Sequence, residues 1–457
     1  MIKKNNISKI FFLFIFSHLS IWTLVPTISN INLPLDTIEA LAWGSNLEWG
    51  FEKHPPFSAF AVEVFYQLFG TQDWSYYLLS QIFVIIAFFV VFKLANEFFN
   101  NLNFAFFSVL MLEGIYFFNY TTPEFNVNIS QLPFWTLSVY FSWRCLKFDK
   151  PIDYAFLGLF LGLGILSKYL FLYLVVGIKL LFIYSFLKRK KIKIQNFFIT
   201  GLIVILIIFP HLIWLLENNF TTITYGLQRS EGNGVLTDHI IYPLLFILKQ
   251  IIVLIPFFLM LFFLIKKIKF KKIVKNEKII FLFFTCVVPI LLMFLTSIIL
   301  GAKIRTMWMT PFYLFFGILF IEIFKKNIDF KNIKKFYLIS LFFFFLSPAI
   351  YLIVSFKNDF KRTDYPGKEI ARLVQNKWDD NFINKIKIVV GDEWSAGNLS
   401  YHLSSRPKWV NDLKNKASNI QDDQGVIYVG NPKILKKICP GVFGKISPVG
   451  YCMIGKK

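Results

Sequence analysis

Residues 33–60, LPLDTIEALAWGSNLEWGFEKHPPFSAF, gather Asp36, Glu39, Glu48, Glu52, Lys53 and His54 into one short stretch. A carboxylate in such company can take a proton from a hydroxyl. Further along, TTPEFNVN (residues 121–128) adds Glu124, Asn126 and Asn128 with no cation beside them. Ser167-Lys168-Tyr169 sets a single lysine after an apolar run that carries Gly158, Gly162 and Gly164, and Gly301-Ala302-Lys303-Ile304-Arg305 sets two cations close together. An acid in one place and cations without acidic neighbours elsewhere are the groups needed to transfer something from a phosphate. The carboxylate would deprotonate an acceptor hydroxyl. Lys and Arg would hold the phosphate and stabilise the charge left on it. With a second pKa of about 6 a phosphate departs without a general acid, so one catalytic carboxylate suffices and the paired acids of glycoside hydrolysis are not required. Blander readings exist for each group. Asp36 followed by Glu39 has the spacing of a capping box, a lysine ending an apolar run is often a snorkelling side chain, and His54-Pro55-Pro56 can serve only to shape a turn.

The elements that must position these groups are membrane spans. The chain has 457 residues, of which 56% are hydrophobic and 58 are Phe, and its mean hydropathy is +0.57. Soluble domains sit nearer roughly 45–50% apolar residues. Long apolar runs predict eleven transmembrane helices, near 10–28, 74–93, 103–119, 131–147, 153–166, 169–187, 197–216, 241–264, 279–299, 306–324 and 335–355. The first follows Lys3, Lys4 and Lys9 and lacks a small-residue cleavage site, so it reads as a retained anchor. Almost nothing separates the fifth from the sixth, which also allows a re-entrant pair. No internal repeat is visible.

The net charge of +22 does not indicate nucleic acid, because the cations alternate between loops. One set of loops holds the N-terminus, Lys93, Arg144, Lys147, Lys150, Lys188-Arg189-Lys190-Lys191, Lys193, the 266–278 loop, Lys325, Lys326, Lys331, Lys334 and Lys335. The other set, leaving the tail aside, holds only Lys53, Lys168, Arg229, Lys303 and Arg305. By the positive-inside rule the N-terminus is cytoplasmic, the sparse set faces outward, and an odd number of spans leaves the C-terminus outside. All the candidate groups above then share the outer face. The polar tail from about residue 357 contains two β-like runs, Lys385–Val390 and Val426–Val429, around a short helical stretch at Ala396–Leu403. It reads as a small extracytoplasmic α/β domain, residues 357–457, beside a transmembrane domain, residues 1–356, whose chemistry lies in the outer loop 29–73. Cys439 and Cys452 fall in that tail, where an oxidising compartment would allow a disulfide, whereas Cys145 and Cys286 fall in apolar runs.

Several of these residues carry a resemblance. The run Asp36, Trp43, Trp49, Gly50, Phe51, His54, Pro55, Pro56 resembles the first-loop pattern of the bacterial membrane glycosyltransferases related to protein O-mannosyltransferases and to the aminoarabinose lipid A transferase, the GT-C fold. Leu166-Ser167-Lys168-Tyr169 looks like that family's second signature, and TTPEFN with Leu132-Pro133-Phe134-Trp135 like its third. Gly301–Arg305 and Gly391-Asp392-Glu393-Trp394-Ser395-Ala396-Gly397-Asn398 look like features of a subgroup. The resemblance implies an inverting transferase of the bacterial inner membrane, with a polyprenyl-phosphate-sugar donor and an acceptor that is a glycolipid such as lipopolysaccharide, or a protein hydroxyl. It implies Asp36 as the base, Lys168 and Arg305 on the donor phosphate, and Glu39, Lys53, His54, Glu124, Asn128, Tyr169 and Lys303 around the substrates. Two departures stand out. Thr37 replaces the family's second acid, and Asn128 stands where an Asp is often found, which argues against a required metal. The competing class is a transporter or flippase for a lipid-linked sugar. Such proteins bury ionisable residues near the midplane, often in repeated halves, whereas here Glu113, Lys179 and Lys249 are the few charges well inside spans.

Overall fold

The computed structural model describes residues 4–188, 193–266, 276–358, 361–411, 425–447 and 449–457. Arg189, Lys190, Lys191 and most of the 266–278 loop lie outside the described residues. Each of the eleven apolar stretches is helical over much of its length. Among the described residues seven helices are long and apolar enough to cross a membrane, including Asp73–Phe99, Ile194–Glu217 and Asp238–Leu264; an eighth span exists if the pair Thr306–Tyr313 and Phe316–Phe324, bent by 54°, counts as one. Pro311 lies in the first half of that pair, where it cannot donate a backbone hydrogen bond.

The stretch 103–119 differs from a single straight span. Its helix, Leu102–Leu110, gives way to 3-10 turns at Met111–Gly114 and Tyr116–Phe118. Around this break the Glu113 carboxylate meets His18 Nδ1 at 2.8 Å, and Asn119 donates to the Glu113 carbonyl at 2.9 Å. A buried carboxylate needs such partners. The glycine-bearing helix Pro151–Ser167 packs against Ile194–Glu217 at close range: a Cβ on Gly158 or Gly162 would come within 2.8–2.9 Å of Thr200 or Ile207. Small residues are what allow helix backbones to approach so closely in a bilayer.

Two helices between the first spans carry the first acidic cluster. Leu35–Gly44 holds Asp36 and Glu39, and Phe57–Phe69 follows Pro55-Pro56. The C-terminal segment forms a five-stranded sheet of β1 (Ile388–Val390), β2 (Lys408–Val410), β3 (Val426–Gly430), β4 (Val442–Ile446) and β5 (Val449–Ile454), in the order β2-β1-β3-β5-β4. β1 pairs parallel with β2 and β3, and β5 runs antiparallel to β3 and β4. The helix Ser395–His402 stands where a helix is predicted between the strands, and Cys439 is bonded to Cys452.

The sheet unit does not stand apart from the bundle. Its core, including Val374, Trp378, Val389 and Ile427, is continuous with Ala42, Trp43, Phe51 and Ala59 of the first loop. Gly397 lets the helix Ser395–His402 touch Leu35–Gly44; a Cβ there would sit 3.1 Å from that of Ala42. Arg406 fastens the contact. Its guanidinium donates to the Leu41 carbonyl at 2.6 Å and to Glu63 Oε2 at 2.7 Å, and lies 4.3 Å from the Tyr66 ring centre.

Candidate active site

Asp36 sits in the first turn of Leu35–Gly44, after Pro34, which is the N-cap residue. The capping-box reading therefore does not hold, and the Asp36 side chain makes no cap hydrogen bond. First-turn amides of a helix have no partner inside it. That of Asp36 donates to Glu124 Oε1 at 3.0 Å, tying the first loop to the TTPEFN loop, as does the bond from Thr37 Oγ1 to the Phe125 carbonyl at 3.2 Å. The Asp36 carboxyl is half-buried and lines a small cavity with Glu39, Trp43, His54, Ser58 and Asn126. The cavity measures about 10 Å³, room for roughly one water.

Burial pushes the Asp36 carboxyl above the ordinary carboxylate range, against the pull of Lys168, Lys53, Arg362 and Arg229 in that order. Glu124 is pushed up to about 8 by burial and by the charge of Asp36. Burial, together with Lys168, Lys53 and Arg229, pushes His54 down to about 3, so its imidazole is neutral at ordinary pH. Asp36 is thus surrounded by cations while sharing its pocket with groups that are mostly uncharged.

Lys168 is 6% exposed. It is held in extended backbone just past the end of Pro151–Ser167. Its ammonium donates to Asn128 Oδ1 at 2.5 Å and lies 5.4 Å from the Trp308 ring centre. Asn126 makes this possible by capping the short helix Val127–Ser130, accepting from the amides of Asn128 and Ile129. Burial brings Lys168 down to about 7; the Asp36 carboxylate opposes this and Arg305 adds to it. The Arg305 charge therefore lies within reach of Lys168. Among the described residues its guanidinium has no hydrogen-bond or ion-pair partner. The same is true of Arg229 and Arg362, both exposed, whose charges reach Asp36. Arg362 arrives from the C-terminal segment, pinned where Ile31 and Asn32 donate to the Thr363 carbonyl at 3.0 and 2.9 Å.

Lys53 has a different setting. Its ammonium is clamped between the carboxylates of Glu39 and Glu393. Burial opposes its charge, yet the two carboxylates outweigh burial and keep it protonated. Glu39 is pushed up to about 9, first by burial and then by Glu393. Asp392 positions this partner by capping Ser395–His402 through the amides of Trp394 and Ser395. Tyr169 donates to His211 Nε2 at 2.6 Å, because His211 Nδ1–H is spent on the Trp49 carbonyl at 2.6 Å. Lys303 stands apart: it is exposed, its ammonium lies 6.0 Å from the Tyr242 ring centre, and its amide donates to Ser230.

Of the residues singled out in the sequence, Asp36, Glu39 and His54 line one cavity; Glu124 is bonded to the Asp36 amide, Lys168 acts on Asp36 by its charge and is bonded to Asn128, the Arg305 charge reaches Lys168, Lys53 is bonded to Glu39, Tyr169 follows Lys168, and Lys303 does not join. Sequence reading did not mark Arg362, Glu393, His211 or Arg229 as parts of the site. Among the described residues, no group of three or more His, Cys, Asp or Glu is placed to hold a metal ion.

Residues 53–214 match the family described as dolichyl-phosphate-mannose-protein mannosyltransferase. No curated protein sequence matches the chain. Among solved structures, ArnT from Cupriavidus metallidurans bound to undecaprenyl phosphate aligns at 12% identity with a TM-score of 0.62, covering 96% of this chain and 97% of that one. The apo state of the same protein aligns at 10% identity and 0.65 over the same shares. At such low identity the likeness shows the fold alone: the chain shares the fold of ArnT, the GT-C fold, and its residues 53–214 are similar to the mannosyltransferase family.

Proposed function

We propose that the protein transfers a sugar from a polyprenyl-phosphate donor to a hydroxyl of an envelope glycolipid, with inversion, on the outer face of the bacterial cytoplasmic membrane. The observation that carries this reading is the half-buried Asp36 carboxylate within reach of the Lys168 charge, which the Arg305 charge also reaches, with no acid bonded to either cation among the described residues. Asp36 accepts the acceptor's proton as the acceptor oxygen bonds to the anomeric carbon. The bond from that carbon to the phosphate oxygen breaks, and its electron pair leaves on the phosphate, where Lys168 and Arg305 stabilise it. A raised pKa suits Asp36 to this role, since a base works best near the operating pH. Neutral His54 and the protonated Glu124 offer hydrogen bonds to sugar hydroxyls. No metal enters the scheme.

The positive-inside loops favour a cytoplasmic N-terminus, and the Cys439–Cys452 bond favours an oxidising compartment for the C-terminal sheet. Both agree with chemistry on the outer face. The glycolipid is preferred to a protein acceptor on the likeness in fold to ArnT along the whole chain. The test is transfer by the purified protein in lipid vesicles, given a panel of radiolabelled polyprenyl-phosphate sugars and either envelope glycolipids or unfolded secreted proteins. Label moving to glycolipid supports the reading. Label moving only to protein, or lipid-linked sugar crossing the bilayer without transfer, contradicts it.

A further inference from the structure

Lys249 is a charge inside a span. It lies on Asp238–Leu264, about 22 Å along the axis from Leu264 at 1.5 Å per residue, and so within a hydrocarbon core of about 30 Å. Its side chain is exposed, and among the described residues nothing pairs with it. A cation at that depth is costly unless an anion or water accompanies it. The space beside it is a notch of about 290 Å³, in which Tyr116 and Thr306 supply hydroxyls and Ile252, Val253 and Pro256 form an apolar wall. The break in the helix after Leu110 brings Tyr116 here.

The position of the notch matters. Thr306 lines the notch and follows Arg305 directly in the chain, and the Arg305 charge reaches Lys168. Lys168 itself is 6% exposed, so a phosphate arriving from the bilayer cannot meet it first. Lys249 is open to the bilayer on one side and adjoins the Arg305–Thr306 segment on the other. One ammonium and two hydroxyls suit a phosphate, and a single apolar wall suits one lipid chain.

We propose that the Lys249 notch is a second phosphate-binding site, where the single-chain polyprenyl phosphate carrier docks from the bilayer beside Arg305 before the donor is seated and after the spent carrier is released. The inference rests on the functional reading above and adds a site to it.

The experiment is equilibrium binding of a long-chain polyprenyl phosphate to the full-length protein in lipid nanodiscs, read by native mass spectrometry, with phosphatidylglycerol as competitor. Wild type is expected to take up a second equivalent, which Lys249→Gln weakens by about tenfold and Lys249→Arg retains. Arg305→Gln is expected to lose one equivalent and leave the one at Lys249. The inference fails if Lys249→Gln binds as wild type does while Arg305→Gln loses its only equivalent, an outcome that leaves the functional reading intact. It also fails if phosphatidylglycerol displaces the second equivalent, which would make the notch a general anionic-lipid site. If wild type binds no polyprenyl phosphate at all, the functional reading falls as well.

Discussion

Changing Asn128 to Asp should move the pH dependence of the enzyme in a calculable direction. Lys168 donates to Asn128 Oδ1 at 2.5 Å, and burial brings its ammonium down to about 7. In the free wild-type enzyme Lys168 is protonated below that pH and neutral above it. A neutral amine does not hold a phosphate, so kcat/KM for the donor should fall about tenfold per unit as pH rises past 7. Asn128→Asp puts a carboxylate where the amide oxygen was. At 4 Å and an effective dielectric of about 20, the pair is worth roughly 4 kcal/mol, or about three pH units. Desolvation of the new carboxylate offsets part of this, and opposite charges at such distances typically move a pKa by about one to three units. The alkaline limb should therefore shift to between about 8 and 10. The plateau should drop at the same time, because the carboxylate competes with the phosphate for Lys168. The assay is kcat/KM against pH for both proteins, with donor varied and acceptor saturating. A limb in the same place in both would refute the pairing of Lys168 with residue 128. A wild-type profile flat between pH 6 and 8 would refute a role for the Lys168 charge in binding the donor.

Three other perturbations test parts of the arrangement. Arg406→Ala leaves the Glu63 carboxylate buried without its cation, and breaking such a pair costs about 3–5 kcal/mol; hydrogen exchange in Leu35–Gly44 and Ser395–His402 should quicken, and Glu63→Gln in the same background should restore part of the protection. Unchanged exchange would mean that Arg406 does not hold the sheet unit to the first loop. Glu124, pushed up to about 8 by burial and by the charge of Asp36, keeps its proton in the folded protein at a pH where the unfolded chain has lost it, so its contribution to stability is present below about 4.5 and declines as pH rises towards 8. Between about pH 5 and 8 the melting temperature of wild type should fall relative to that of Glu124→Gln; a constant difference would contradict the shift. Glu393→Gln removes one of the two carboxylates on Lys53, and should loosen the C-terminal sheet while changing donor KM less than Lys168→Gln does; an equal loss would place Lys53 on the donor.

Much of this site could be read before the fold was known. Asp36, Lys168 and Arg305 lie at the ends of apolar runs on loops with few cations, where an ionisable group is conspicuous, and the runs themselves announce the helices. The break at residues 110–118 was not legible, because Tyr116, Phe117 and Phe118 keep the composition apolar while the backbone turns to serve Glu113. The Lys53 clamp was hidden by distance, since Glu393 is 340 residues away in sequence and the contact exists only once the sheet unit has docked. His211 lies within an apolar run and acts through a ring nitrogen aimed at Tyr169, which hydropathy does not register. Arg229 and Arg362 look in sequence like any solvated arginine. Only the packing of their segments against the first loop turns them toward Asp36. The spacing of Asp36 and Glu39 pointed to a capping box that Pro34 forestalls by ending the preceding loop two residues earlier.

The central claim is that Asp36 is the base in a transfer from a phosphate lipid. Its most direct test is single-turnover transfer by Asp36→Asn in vesicles, next to wild type, after polyprenyl phosphate binding has been matched between the two proteins. General-base catalysis is worth about 10² to 10⁴ in rate. The account predicts a loss of that size with donor binding kept. Transfer at the wild-type rate by Asp36→Asn would contradict it and pass the role to another carboxylate of the cluster.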